Sequence, residues 1–306
     1  MTDDDRLPSW RPGAARDAII EYLDGIGDVP LEERVAYVDN DGTMWCERPA
    51  YIQLDFFLDA LRRRTADDPA LAQRPEFDAV LRGDPVAMGE IGLAKIAVAL
   101  AGLFDGDGPR EFGAAVDEFV EHYRHPDLDV PVASLVYQPM LELIDELRAH
   151  DFTVGVVTGG GTEFVRRVSR PLYGVPPHLV VGTLIGYEFD RDDDGRPVLR
   201  RTVALMGHAN EGAAKVEHIQ SQLGRAPLVA VGNTGGDREM LEWANAGPHP
   251  GLAILIDHDD ADREYAYRGE AATLVDAEQI TDVAARHGWV VVSMRNDWST
   301  VFPTRS

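Results

Sequence analysis

The stretch Arg34-Val-Ala-Tyr-Val-Asp39-Asn-Asp-Gly-Thr43 decides the fold. A short apolar run entering an Asp/Asn/Gly turn reads as a buried strand that ends at Asp39. Similar runs recur at Phe152 to Val157, Leu228 to Val231, Leu252 to Ile256 and Trp289 to Val292. Helical patterns lie between them. In Pro139-Met-Leu-Glu-Leu-Ile-Asp-Glu-Leu-Arg148 the apolar residues fall at i, i+3 and i+4. Strands alternating with helices predict an α/β protein whose parallel sheet is covered on both faces. Such a sheet binds ligands at the carboxyl ends of its strands.

Three segments stand apart from this alternation. A leading helix is expected over Ala14 to Leu23, broken by Gly25, Gly27 and Pro30. Residues 46 to about 135 offer helical patterns only, at Tyr51 to Leu61, Ile91 to Leu103 and Phe112 to Tyr123, and read as an inserted helical domain. The runs Leu179 to Phe189 and Pro197 to Leu205 flank Asp190-Arg-Asp-Asp-Asp-Gly195 and read as a hairpin. Its acidic turn begins like a calcium loop, but Arg201 stands where the loop requires its bidentate acid, so a solvated turn is expected.

The 306 residues carry 29 basic and 53 acidic side chains, a net charge of -24. A surface so negative repels nucleic-acid backbones and anionic lipid, and neither is expected as a partner. No apolar run is long enough to span a bilayer. The start, Met1-Thr-Asp-Asp-Asp-Arg6, lacks the basic flank and apolar stretch of a secretory signal. The single cysteine, Cys46, excludes an internal disulfide framework and fits a reducing compartment, so a cytoplasmic protein is expected. Only two basic residues are lysines, Lys95 and Lys215. Oligomeric state is not legible in the sequence.

Four stretches carry chemistry. Asp39 and Asp41 sit one residue apart in a strand-end turn, where two carboxylates converge on one point and can take different roles, nucleophile and proton donor. An ordinary Asx turn explains the same residues. Val156-Val-Thr-Gly-Gly-Gly-Thr162 enters a helix; its amides and the Thr158 hydroxyl suit an anion, and plain turn chemistry is the competing reading. Lys215 opens a helix after the hairpin. Leu228-Val-Ala-Val-Gly-Asn-Thr-Gly-Gly-Asp237 ends another strand in an acid that either ligates a metal or caps a helix.

An acidic pair, Thr-Gly-Gly, a lysine and Gly-Asn-x-x-x-Asp in this order resemble the haloacid dehalogenase (HAD) superfamily, over roughly residues 34 to 44 and 136 to 260. The insertion between the first two motifs, and the hairpin, resemble the helical-cap branch that includes phosphoserine phosphatases. The resemblance implies a Rossmann-like core formed by residues 1–45 and 136–306, a helical cap over 46–135, and a phosphatase acting on a small phosphorylated metabolite. It implies Asp39 as nucleophile and Asp41 as acid/base. Thr158, the amides of Gly159 and Gly160, and Lys215 would hold phosphate. Mg²⁺ would be held by Asp39, Asp41, Asp237 and Asn233. Two positions depart from the pattern. Asn233 stands where many relatives have a metal-binding aspartate, and Glu47 lies one residue short of the glutamate of phosphoserine phosphatases, whose place Arg48 takes.

A carboxylate attacking a phosphate dianion at ~3.5 Å meets roughly 9 kcal/mol of repulsion at an effective dielectric of ~20. A cation and Lys215 would offset it. A dehalogenase or phosphomutase on the same scaffold, and a non-catalytic module that binds a phosphorylated ligand, are the alternatives. A methyl-donor enzyme would account for the glycine turns but not for Asp39, Asp41 and Lys215. Of the other residues, His122 and His125 are expected at the surface, Cys46 partly buried near the cap hinge, and Trp45 and Tyr51 in cap packing.

Overall fold

The computed structural model describes residues 6–271 and 278–303, apart from the side chain of Leu93. A leading helix, α1 (Ala14–Asp24), precedes the first strand, β1 (Val35–Val38). Five helices follow β1: α2 (Ile52–Asp67), α3 (Pro75–Arg82), α4 (Pro85–Ile91), α5 (Leu93–Ala101) and α6 (Pro109–His122). Next come α7 (Gln138–Ala149), β2 (Thr153–Gly161), α8 (Thr162–Tyr173) and β3 (Val180–Thr183). A two-stranded hairpin follows, β4 (Ile185–Arg191) against β5 (Pro197–Leu205). The chain ends with α9 (Ala213–Gln222), β6 (Val229–Gly232), α10 (Arg238–Ala244), β7 (Leu252–Asp257), α11 (Ile280–His287), β8 (Val290–Ser293) and α12 (Met294–Asp297).

Six strands form one parallel sheet in the order β3-β2-β1-β6-β7-β8. The chain works outward from β1 in one direction through β2 and β3, then crosses to β6 and continues the other way. That reversal is the topological switch point of a Rossmann-like sheet, and ligands bind in the crevice outside its strand ends. β1 is buried along its whole length, and its residues alternate between two cores. Ala36 and Val38 face α1, α7 and α8, while Val35 and Tyr37 face α9, α10 and α11.

One sequence expectation needs correcting. The run from Leu179 to Phe189 is not one hairpin strand. Val180–Thr183 joins the main sheet beside β2, and only Ile185–Arg191 turns back against β5. The physical reason is burial: Val180 and Val181 lie inside the core, whereas most of β4 and β5 is exposed. The acidic turn is closed by Asp192, whose carboxylate accepts from the amides of Asp194 and Arg196 at 3.0 and 2.8 Å.

The helices between β1 and β2 share the core through aromatic contacts. Phe56 of α2 stacks on Phe104 at 5.1 Å and meets Phe112, Phe119 and the α8 residue Phe164 within 5.7 Å. Aromatic pairs of this kind add to what burial alone contributes. Among the described residues no single helix is long and apolar enough to cross a membrane.

Candidate active site

β1 delivers Asp39 still in register with β6, its amide donating to the Val231 carbonyl at 2.9 Å. The chain then turns sharply. Met44 N donates to Asn40 O at 2.8 Å, Gly42 N donates to Trp45 O at 2.9 Å, and Gly42 takes the left-handed φ of 74°. Only glycine fits here: a Cβ on Gly42 would lie 1.9 Å from Asn233 Nδ2. The turn brings Trp45 back under Asp41, and its indole Nε1 donates to Asp41 Oδ1 at 2.8 Å. The ring is fully buried against Phe164 and Tyr173, which fixes its position. Burial raises the Asp41 pKa, while the Trp45 hydrogen bond pulls it down. A carboxyl group whose pKa is raised by burial suits a proton donor.

Lys215, in the first turn of α9, reaches the same place from the opposite side. Its Nζ donates to Asp39 Oδ1 at 2.6 Å, Asp237 Oδ1 at 2.5 Å and the Val157 carbonyl at 3.4 Å. These three acceptors match the three protons of an ammonium group. Burial works against the charge on Lys215, but the carboxylates of Asp237 and Asp39 prevail and raise its pKa. Asp39 is pushed well above the usual carboxylate range, by burial first and then by the charge of Asp237.

Asp237, named in the sequence among metal ligands, has both oxygens engaged. Oδ1 takes Lys215, and Oδ2 accepts from the backbone amides of Asn233 and Thr234, each at 3.0 Å. In this arrangement the residue anchors Lys215 and the turn after β6. The acid has to sit four residues along because that turn folds back to offer it these amides.

The glycine stretch prolongs β2 to Gly161, with a register shift against β3 between Val157 and Gly161. Thr158 is fully buried. Its Oγ1 accepts from Gly160 N at 2.9 Å and lies 3.5 Å from Asp41 Oδ2, while Asn210 Nδ2 donates to its carbonyl at 2.8 Å. Gly159 is exposed. Gly161 N donates to Gln53 Oε1 at 2.7 Å, so a side chain of α2 reaches across from the helical insertion to the glycine stretch.

Asn233 sits over Gly42. Thr43 Oγ1 donates to its Oδ1, and its Nδ2 donates to Glu47 Oε1, both at 3.3 Å. Glu47 is buried, and burial raises its pKa. Behind the turn, His258 Nε2 lies 2.7 Å from the Gly42 carbonyl and its Nδ1 3.3 Å from Glu264. Glu264 also accepts from Tyr137 at 2.9 Å and from Cys46 Sγ at 3.0 Å.

The sequence reading missed several of these groups. Gln53 and the Trp45 indole gave no motif. His258, which directly follows β7, lies where the strand-end rule points. His125 is buried rather than at the surface, with Nε2 2.5 Å from the Arg48 carbonyl. Cys46 is fully rather than partly buried, and Tyr51 is exposed rather than packed.

Asp39, Asp237 and Glu47 are buried, Asp41 is half-buried beside them, and Lys215 is the ammonium among them. Four acids gather round one ammonium where little water reaches; burial raises the Asp39, Asp41 and Glu47 pKa values, and the neighbouring acids Asp237 and Asp41 add to it at Asp39 and Glu47. A divalent cation with oxygen preference fits such a site. Mg²⁺ needs few protein carboxylates, since it keeps several waters and takes substrate phosphate. Among the described residues no group of three or more His, Cys, Asp or Glu is arranged to hold a metal ion by itself, so waters and substrate oxygens would have to complete the shell.

The family model for haloacid dehalogenase-like hydrolases matches residues 36–242, which include all of these motifs. The chain belongs to that family. No curated protein matches the sequence. A protein of unknown function from Bordetella pertussis Tohama I shares the fold at a TM-score of 0.52, with 21% identity over 85% of this chain and 98% of its own. A conserved, functionally unknown protein from Anaerococcus prevotii DSM 20548 superposes at 0.56, with 13% identity over 90% of both chains. A probable phosphoserine phosphatase from Vibrio cholerae matches at 0.41, with 15% identity over 79% of this HAD chain and 63% of its own. The first two neighbours support the fold, and their descriptions name no activity.

Proposed function

We propose that this HAD hydrolase is a Mg²⁺-dependent phosphomonoesterase that acts on a small phosphorylated metabolite through an aspartyl-phosphate intermediate. The observation that carries the reading is Lys215 Nζ bound at 2.6 Å to Asp39, with the half-buried, raised-pKa Asp41 two residues on. A structural ion pair explains Lys215 with Asp237 alone. It does not explain a second acid kept beside the first and supplied with its own indole donor.

Asp39 attacks phosphorus and the ester P–O bond breaks. The leaving oxygen takes the proton of Asp41. Asp41, now a carboxylate, then removes a proton from water, and the resulting hydroxide displaces Asp39 from phosphorus. Phosphate leaves, and both acids return to their starting states. Lys215 and the Thr158 hydroxyl balance charge on the transferring oxygens, and Asp237 keeps Lys215 in place. Asp39, the Asp41 carbonyl and the Asn233 side-chain oxygen would hold Mg²⁺, which lowers the repulsion between nucleophile and phosphate. The helices of residues 46–135 serve as the cap that excludes water, with Gln53 as their contact to the glycine stretch.

The non-catalytic alternative rests on Asn233 alone, and a metal-free dehalogenase leaves the excess of buried carboxylates unexplained. A phosphate-release screen across metabolite esters, with Mg²⁺ or with EDTA, tests the reading, using Asp39→Asn as control. Turnover should need both Mg²⁺ and Asp39. Release that persists in Asp39→Asn would end the covalent mechanism.

A further inference from the structure

The buried neighbour of Asn233 is a carboxylate. Asn233 Nδ2 donates to Glu47 Oε1 at 3.3 Å, both side chains are nearly excluded from solvent, and both press on Gly42. The two come from opposite parts of the chain, 186 residues apart, one after β1 and the other at the end of β6. The orientation of the Asn233 amide is fixed by its two partners. The Thr43 hydroxyl donates to Oδ1, so Nδ2 has to face Glu47, and a flipped amide would set its oxygen against a carboxylate.

We infer that Glu47 and Asn233 are a charge-relocated pair: Glu47 supplies the negative charge that residue 233 does not, and it positions the Asn233 amide for the cation. This rests on the Mg²⁺ reading above and adds a residue to it. Three observations lead here. An aspartate at 233 would place two buried carboxylates about as close as Nδ2 and Oε1 now stand, and like charges at that range destabilise each other. The asparagine is therefore matched to Glu47. Glu47 faces into the protein toward the Asp41 turn, since its carboxylate meets Asn233 and Gly42 and its other neighbours are Tyr267, Asp41, His258 and Arg48. It is thus turned to the strand-end site, where a carboxylate can offset a cation. Finally, a Cβ on Gly42 would come within 2.9 Å of the Glu47 carboxyl carbon, so the nucleophile turn itself is shaped around the pair. Glu47 is a positioning residue in this account, and Asn233 is the group it orients.

The test uses the whole chain, stripped with EDTA, with MgCl₂ binding measured by titration calorimetry and melting followed by circular dichroism. Glu47→Gln should weaken Mg²⁺ binding roughly 10–100-fold, the range usual for removing a group that orients a metal ligand. Asn233→Asp should melt below the wild type in EDTA. Joining the two as Glu47→Gln/Asn233→Asp restores one carboxylate facing one amide, and should recover most of both the affinity and the melting temperature. A double variant that fails to recover Mg²⁺ affinity overturns the inference. So does wild-type affinity in Glu47→Gln, or an undiminished melting temperature in Asn233→Asp. A wild-type chain that binds no Mg²⁺ sinks the metal reading together with this one. A wild type that binds, with Glu47→Gln unaffected, sinks this one alone.

Discussion

Trp45 Nε1 donates to Asp41 Oδ1 at 2.8 Å across a single turn of chain. The hydrogen bond favours the carboxylate, whereas burial favours the acid and outweighs it, so Asp41 is raised. Replacing Trp45 with phenylalanine removes the donor and keeps an aromatic ring. The Asp41 pKa should then rise further, and the acid needed for leaving-group protonation should persist to higher pH. The alkaline limb of kcat/KM for alkyl phosphates should move upward in Trp45→Phe. An unchanged or downward-shifted limb would take the proton-donor role away from Asp41.

Asp39→Asn should do more than abolish turnover. Asp39 is raised by burial and by Asp237, so its folded pKa lies above its unfolded one. The stability that goes with protonated Asp39 is complete below the ordinary carboxylate range and is lost as pH climbs through the raised folded value. Above the ordinary carboxylate range and without a cation, Asp39 carries a cost that asparagine does not. Asp39→Asn should therefore melt a few degrees higher than the wild type in EDTA, and the gap should close at acidic pH. Scanning fluorimetry across pH 4 to 8 reads this directly, and a variant that melts lower at neutral pH contradicts it.

Lys215→Met keeps the apolar stem and deletes the ammonium. Asp39 and Asp237 then face each other, both buried, with no cation between them. Breaking a buried pair this way costs about 3–5 kcal/mol. Chemical denaturation at neutral pH should show that loss, and part of it should return in acid as the carboxylates take protons. A loss below ~1 kcal/mol, the level of an exposed pair, would mean that the ammonium does not hold the two acids together.

Periodicity and strand ends made most of this legible in the sequence. β1, β2, β6, β7 and β8 are short apolar runs; Asp39 and Asn233 directly follow β1 and β6, Thr158 lies in the carboxyl-terminal half of β2, and Asp237 closes the turn after β6. What stayed hidden depended on pairing over long distances. β3 could not be told from β4, because one apolar stretch spans both and only contact with β2 divides it. The engagement of Asp237 by Lys215 and by its own turn leaves no mark in composition. Glu47 was visible as an acid at the wrong spacing, but its partner lies 186 residues away. The burial of His125 depends in the same way on a carbonyl far off in sequence, that of Arg48.

Gly42 offers the sharpest contrast between two glycines. In Gly42→Ala the new Cβ would fall 1.9 Å from Asn233 Nδ2, at a φ of 74° that L-residues rarely adopt. Backbone strain and overpacking each cost about 1–3 kcal/mol, and here both apply. The substitution should also push Asn233 and Glu47 aside, so Mg²⁺ affinity should fall along with stability. Gly27→Ala is the control, because nothing lies within 4 Å of a Cβ there and its φ is not left-handed. That change should be neutral or stabilise by about 0.4–1 kcal/mol through the unfolded chain. Denaturation of both variants and Mg²⁺ titration of the folded fraction separate the two outcomes. Gly42→Ala with wild-type stability would mean that the turn does not press on Asn233 as closely as the geometry requires.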